Sequence, residues 1–136
     1  MDRREKAIAL HDQKYNCAQA VLLAFAEEMD MDRDLLFRIS EGFGAGMGTM
    51  NGTCGALTGA IMLAGLRNSD GNLQEPRSKG STYKLDKEIY RRFVEKCGAS
   101  ICRELKGVDT GTVLCSCEDC IRHGVEAAGE VLFPEA

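Results

Sequence analysis

The sequence predicts an all-α fold, a single-domain bundle of five or six helices. Three observations carry this. Apolar residues recur at helical spacing in segment after segment, and no alternating strand pattern, internal repeat or low-complexity stretch stands out. Two prolines and few β-branched runs argue against a β-sandwich. The 136 residues, 44% of them hydrophobic, suit one compact domain over 1–136 with an ample core.

The elements follow in order. Arg3 to Asp12 carries Ala7, Ile8 and Leu10 among charges and reads as a short amphipathic helix, with Asp2 and Glu5 as its capping pair. Cys17 to Ala26 is apolar almost all round, the mark of a buried central helix. Asn16 is its natural N-cap, which puts Cys17 in the first turn. Asp32 caps a third helix, with Leu35, Leu36 and Ile39 expected to face inward and a stop near Gly42. A glycine-rich loop occupies 42–52. Thr53 then caps a fourth helix from Cys54 to about Leu66, where Gly55 and Gly59 leave one face bare for a backbone or a cofactor. The polar stretch 67–80, with Asp70-Gly71 and Pro76, is an exposed loop. A long helix is expected from about Ser81 to Lys106, with the stripe Tyr83, Ile89, Tyr90, Phe93, Cys97, Ile101 and Leu105. A connection through Gly111 leads to a last helix, from about Cys117 to Leu132.

Composition narrows function. A formal charge of −4, no tryptophan and 6% aromatics argue against nucleic-acid binding. Residues 42–66 carry no charge, but only Cys54 to Leu66 is densely apolar, too short to span a membrane, so no membrane insertion is expected. Seven cysteines are the outstanding excess. Their odd number and an N-terminus that lacks a secretion-type apolar segment favour cytoplasmic thiols over a disulfide framework. Metal binding or redox chemistry is the expected use.

Cys17, Cys54 and Cys117 fall at predicted helix starts, where unpaired N–H groups favour a thiolate or an anionic cluster. Cys97 and Cys102 share the predicted long helix, five residues and roughly 140° apart. Cys97 reads as a small buried hydrophobe. Cys102 lies off the stripe, where bare Gly98 would let a neighbour approach its sulfur. Cys115-Ser-Cys117-Glu-Asp-Cys120 contains a Cys-x-x-Cys pair, Cys117 and Cys120, which suits either metal ligation or redox exchange. Ile121 rather than histidine follows it, so covalent haem is not indicated. His123 and His11 read as surface helix residues, with His123 a further nitrogen ligand as the alternative. The run Gly42-Phe43-Gly44-Ala45-Gly46-Met47-Gly48 does not fit the dinucleotide spacing. It suits an anion-binding or sulfur-binding nest or, equally, a tight packing loop.

Asn16-Cys17-Ala18-Gln19-Ala20, the 42–48 loop, Cys54-Gly55-Ala56-Leu57-Thr58-Gly59, Cys102-Arg103-Glu104-Leu105 and the late cysteine segment resemble the C-GCAxxG-C-C family of redox-active proteins. The resemblance runs from about Asn16 to Leu132 and extends to the iron–sulfur part of split-Soret cytochrome c, a dimeric protein. It implies a helical cluster-binding domain, a redox partner protein and a homodimer. Four hallmark cysteines carry over to Cys17, Cys54, Cys102 and Cys117, with Cys120 the alternative for the last. Gly44, Gly46, Gly48, Gly55 and Gly59 would form the loop and helix face beside the cofactor.

Three functions follow as expectations. The first is an iron–sulfur protein for electron transfer or redox sensing. The second is a thiol–disulfide oxidoreductase using Cys117 with Cys120, or Cys17 with Cys54. The third is a non-enzymatic zinc protein using the same sulfurs.

Overall fold

The computed structural model describes residues 1–134. Among the described residues there are nine helices and no strands, and six of the helices have seven residues or more. The longer ones are α1 (Arg3–Asp12), α2 (Cys17–Leu23), α4 (Arg33–Glu41), α6 (Gly55–Asn68), α7 (Lys79–Cys97) and α9 (Cys117–Leu132). Single turns α3 (Ala26–Met29), α5 (Gly44–Met47) and α8 (Cys102–Leu105) link them. The all-α prediction holds, and no described helix is long and apolar enough to cross a membrane.

Helix α6 is central and packs against α2, α7 and α9. Its neighbours approach closely because glycines remove side chains at the contacts. A Cβ on Gly59 would stand 2.7 Å from the Ala18 carbonyl oxygen, and one on Gly124 of α9 would stand 2.8 Å from that of Ala56. Phe25, Leu57, Leu63, Ile89, Phe93 and Ile121 fill the space between the helices and are fully buried. Each such side chain contributes about 1.5–3 kcal/mol by leaving water.

Local chemistry explains the starts. Asp2 Oδ1 accepts from the Glu5 N–H at 2.9 Å, as the capping pair required. Asn16 and Gln19 form a reciprocal capping box, both bonds 2.9 Å long. Asp32 Oδ1 caps α4 by accepting from Asp34 N–H at 3.0 Å.

Several expectations are corrected. On α4, Leu35 and Ile39 are 59% and 58% exposed, whereas Leu36 and Ser40 face inward. The Ser40 hydroxyl satisfies itself by donating to the Leu36 carbonyl at 2.6 Å, so a polar residue takes the inner line. Helix α2 ends at Leu23 and the chain restarts as α3. Thr53 does not cap α6; Cys54 holds that position, without a side-chain hydrogen bond. Thr53 is instead bridged to Ile101. The long helix to Lys106 does not exist. It starts at Lys79 and stops at Cys97 because Gly98 takes a left-handed φ of 95°, and the chain then runs extended to α8. Tyr83 and Tyr90 of the predicted stripe lie exposed, while Ile89, Phe93 and Cys97 are buried.

Candidate functional site

All seven cysteines are free, and helix ends gather six of them. Cys17, Cys102 and Cys117 each open a helix, Cys54 is the N-cap of α6, Cys97 closes α7 and Cys120 lies in the first turn of α9. Cys115 lies in the connection before α9, and all but Cys17 and Cys117 are buried.

Backbone hydrogen bonds set these positions. The Asn16 side-chain N–H donates to the Glu41 carbonyl at 2.8 Å and so ties the start of α2 to the end of α4. Residues 50–54 are zipped to 100–103. The N–H of Cys54 donates to Ser100 O (2.7 Å), that of Cys102 to Gly52 O (3.0 Å) and that of Arg103 to Met50 O (2.8 Å). This antiparallel clasp places Cys54 beside Cys102. The N–H groups of Leu114 and Cys115 both donate to Leu105 O, at 2.9 and 3.2 Å, which folds Cys115 back over α8.

The glycine loop has an unusual backbone. Ala45, Gly46, Met47 and Gly48 all take positive φ, between 50° and 72°, so α5 is a left-handed turn with two non-glycine residues in it. Left-handed geometry costs an alanine or methionine about 1–2 kcal/mol. The turn sets Gly46 against the site, where an added Cβ would stand 2.6 Å from Cys102 Cβ. Gly44 gives the same clearance to Asn16, and Gly55 to Ala18 N, Phe43 O and Cys17 Cβ. Gly59 faces Ala18, and Gly48 faces open space. Gly98 lies near Leu114 rather than Cys102, and Cys97 and Cys102 are on separate helices. The expected Gly98–Cys102 neighbourhood and the shared-helix angle are therefore both corrected.

The thiols fall into two groups. Cys17 faces Cys117. Cys54 faces Cys120, and Cys120 also meets Cys97 and Cys115. Cys102 lies in the field of Cys54 and Cys117. The four hallmark positions are thus brought into one region. Among the described residues, only the Cys97, Cys115 and Cys120 sulfurs all lie within 4.8 Å of one another, close enough to hold a metal ion. Cys117 and Cys120, the local pair of the sequence reading, look toward different partners.

Lys106 sits between the two groups and was not anticipated from the sequence. Its Nζ donates to the Cys115 carbonyl at 3.4 Å and lies 3.6 Å from Cys120 Sγ. Burial works against its charge, but Cys120, Cys117 and Cys54 outweigh that and hold the ammonium above its usual range. The signal was present as Cys102-x-x-x-Lys106, one helical turn apart.

These surroundings separate the thiols. The hydrogen bond from Cys17, with Lys106 and then His11 nearby, outweighs burial and lowers Cys117 to about 5. The same contact, together with burial, pushes Cys17 up. Cys54 is raised by its contact with Cys120 and by burial. Burial also raises Cys102, and it takes Cys115 to about 11. At Cys120 the Cys54 thiol works downward, but the Cys97 thiol and burial leave the group above its usual range. Within the Cys17–Cys117 pair, Cys117 is the thiol shifted toward the thiolate form. His11 Nδ1 is 3.0 Å from the Tyr15 carbonyl, and His123 pairs with Glu126 at 2.6 Å, so both rings have partners outside the sulfur cluster.

A family model described as "putative redox-active protein (C_GCAxxG_C_C)" matches residues 15–131. The chain belongs to this family. No curated protein and no solved structure matches it. The C-GCAxxG-C-C match takes in all seven cysteines and Lys106, and it gives the sulfur cluster a redox context. The seven cysteines are three more than the four in the family's name.

Proposed function

We propose that the protein holds an iron–sulfur cluster on the thiolates of Cys17, Cys54, Cys102 and Cys117, for electron transfer or redox sensing. One observation carries the reading. Cys17, Cys54, Cys102 and Cys117, from four chain segments, lie in one another's electrostatic field: Cys54 and Cys117 act on both Cys17 and Cys102. The donor set also fits, because it is all sulfur and the Lys106 ammonium stands in the field of Cys117 and Cys54 to offset anionic charge. When bound, such a cluster supplies a one-electron redox step. The chain's own groups orient the thiolates through the clasp, the caps and the left-handed turn, and exclude water by burial. Free thiols accord with a cytoplasmic, reducing setting. A redox partner protein and a homodimer belong to the same proposal.

The test is anaerobic reconstitution of the full chain, followed by iron and acid-labile sulfide analysis and electronic and electron paramagnetic resonance spectra. Colour with matching iron and sulfide is expected, lost in Cys17→Ser and Cys102→Ser. Protein that stays colourless, without iron or sulfide, overturns the reading. Comparing Cys117→Ser with Cys120→Ser identifies the fourth ligand.

A thiol–disulfide role is the second reading, favoured by the thiolate of Cys117 facing Cys17. It requires reversible loss of two free thiols on mild oxidation, abolished by either Cys17→Ser or Cys117→Ser. The zinc reading requires stoichiometric zinc and no redox response.

A further inference from the structure

Cys97, Cys115 and Cys120 form a second cluster of sulfurs beside Lys106. They come from three different places, the last residue of α7, the connection before α9 and the first turn of α9. All three are buried, their sulfurs lie within 4.8 Å of one another, and no histidine or carboxylate joins them. None of the three belongs to the proposed four-thiolate site on Cys17, Cys54, Cys102 and Cys117.

A second observation sets this trio apart from three small buried hydrophobes. Lys106 is half-buried, and among the described residues no carboxylate pairs with it. Its Nζ instead meets the Cys115 carbonyl, the Cys120 sulfur and the Cys117 thiol. A half-buried ammonium needs an anionic counterpart, and sulfur is the counterpart provided.

We propose that Cys97, Cys115 and Cys120 constitute a closed three-thiolate site for a soft monovalent metal ion of the copper(I) class, separate from the hallmark four. Ligand type and coordination number decide the class. Thiolate sulfur selects copper(I), zinc or iron–sulfur clusters. Structural zinc is almost always four-coordinate, and here no fourth side chain completes the set. Cys54 touches Cys120 but does not come within 4.8 Å of all three sulfurs. Charge alone would suit a divalent ion, since three thiolates, two positive charges and Lys106 sum to zero. Coordination number is the harder constraint in a buried site that water cannot complete. With copper(I), binding forms three metal–sulfur bonds, releases the thiol protons to solvent and leaves the oxidation states unchanged.

The experiment uses the full reduced chain, anaerobic and without reconstituted cluster, titrated with copper(I) against a chromogenic copper(I) chelator. The chain should take one equivalent with the tighter affinity, and Cys17→Ser/Cys102→Ser should keep it. Cys97→Ser and Cys115→Ser should each weaken it by more than about 100-fold, beyond the 10–100-fold loss typical of outer-shell changes. Should those variants fail to fold, the wild-type chain still decides. One equivalent of copper(I) must protect Cys97, Cys115 and Cys120 from alkylation, read residue by residue by mass spectrometry. Protection of Cys17, Cys54, Cys102 and Cys117 instead overturns the proposal, as does zinc held by the trio more tightly than copper(I). Iron and sulfide content is measured on separately reconstituted samples, so failure of the cluster reading is distinguishable from failure of this one.

Discussion

Replacing Gly59 by alanine tests the packing that holds the site together. A Cβ there would stand 2.7 Å from the Ala18 carbonyl oxygen, 3.2 Å from Val21 Cβ and 3.3 Å from Ala18 Cα. Two of these atoms are backbone, so the clash cannot be relieved by rotating a side chain. Overpacking of this kind costs about 1–3 kcal/mol. Alanine returns about 0.8–1 kcal/mol of helix propensity. The net effect is a loss of up to about 2 kcal/mol. Gly65 lies on the same helix with no atom within 4 Å of an added Cβ, so Gly65→Ala should gain the propensity alone, up to about 1 kcal/mol. At about 4 °C per kcal/mol for a chain of this size, Gly59→Ala should melt about 4–12 °C below Gly65→Ala. Thermal unfolding of the reduced protein, with urea titration as a check, measures both. Because α2 carries Cys17 and α6 carries the Cys54 cap, Gly59→Ala should also lower the yield of reconstituted cluster. A Gly59→Ala protein as stable as Gly65→Ala would refute the close approach of α2 to α6.

Asn16→Ala removes the capping box and the tie to Glu41, and should cost about 1–2 kcal/mol in urea unfolding. Lys106→Met removes the cation beside Cys117. The pH midpoint of Cys117 alkylation, held below the usual thiol range in the wild type, should then rise, whereas an unmoved midpoint would remove Lys106 from the electrostatics of the site. The sign of the thiol linkage gives a further test. Cys17, Cys54, Cys102, Cys115 and Cys120 are all raised in the folded chain, so above the unfolded thiol value near 9 the unfolded chain loses protons that the fold retains. Stability of the reduced protein should therefore fall as pH rises past about 9, with the sulfhydryls as the cause if blocking or mutating them flattens the slope. Cys117 acts oppositely, since its contribution is full above 9 and is lost as pH falls through about 5.

What the sequence made legible was what local chemistry decides. Asn16 could be read as a cap because its side chain needs only the N–H three residues on, and the start of α2 follows from that. The last helix was placed at Cys117 without its cap, Ser116, whose hydroxyl accepts from the Asp119 N–H at 3.1 Å. The break at Gly98 was not visible, because Ile101 and Leu105 resume the apolar spacing after it and an isolated glycine is tolerated inside a helix. Leu35 and Ile39 misled in the opposite way. They extend the apolar stripe of α4, but α4 presents Leu36 and Ser40 inward, and packing rather than pattern decides which line is buried. The left-handed turn at 45–48 lies beyond propensity altogether, since Ala45 and Met47 hold a conformation that only tertiary contacts sustain.

The sulfur groups show where sequence reasoning reaches its limit. Cys97 was read as a buried hydrophobe, and it is buried, but its neighbours Cys115 and Cys120 arrive through the Leu105 carbonyl, which folds the connection back over α8. Lys106 is placed by the same fold. The first turn of α9 then has two outlets: Cys117 faces Cys17, and Cys120, three residues later, faces Cys54, Cys97 and Cys115. A rotation or shift of that one turn changes both groups together, with Lys106 between them reading the charge of each. Cys120, Cys117 and Cys54 all act on the Lys106 ammonium, so a change of charge in one group alters the field at the other. That coupling, carried by one ammonium and one helical turn, is why the extra cysteines belong in the same account as the four that name the family.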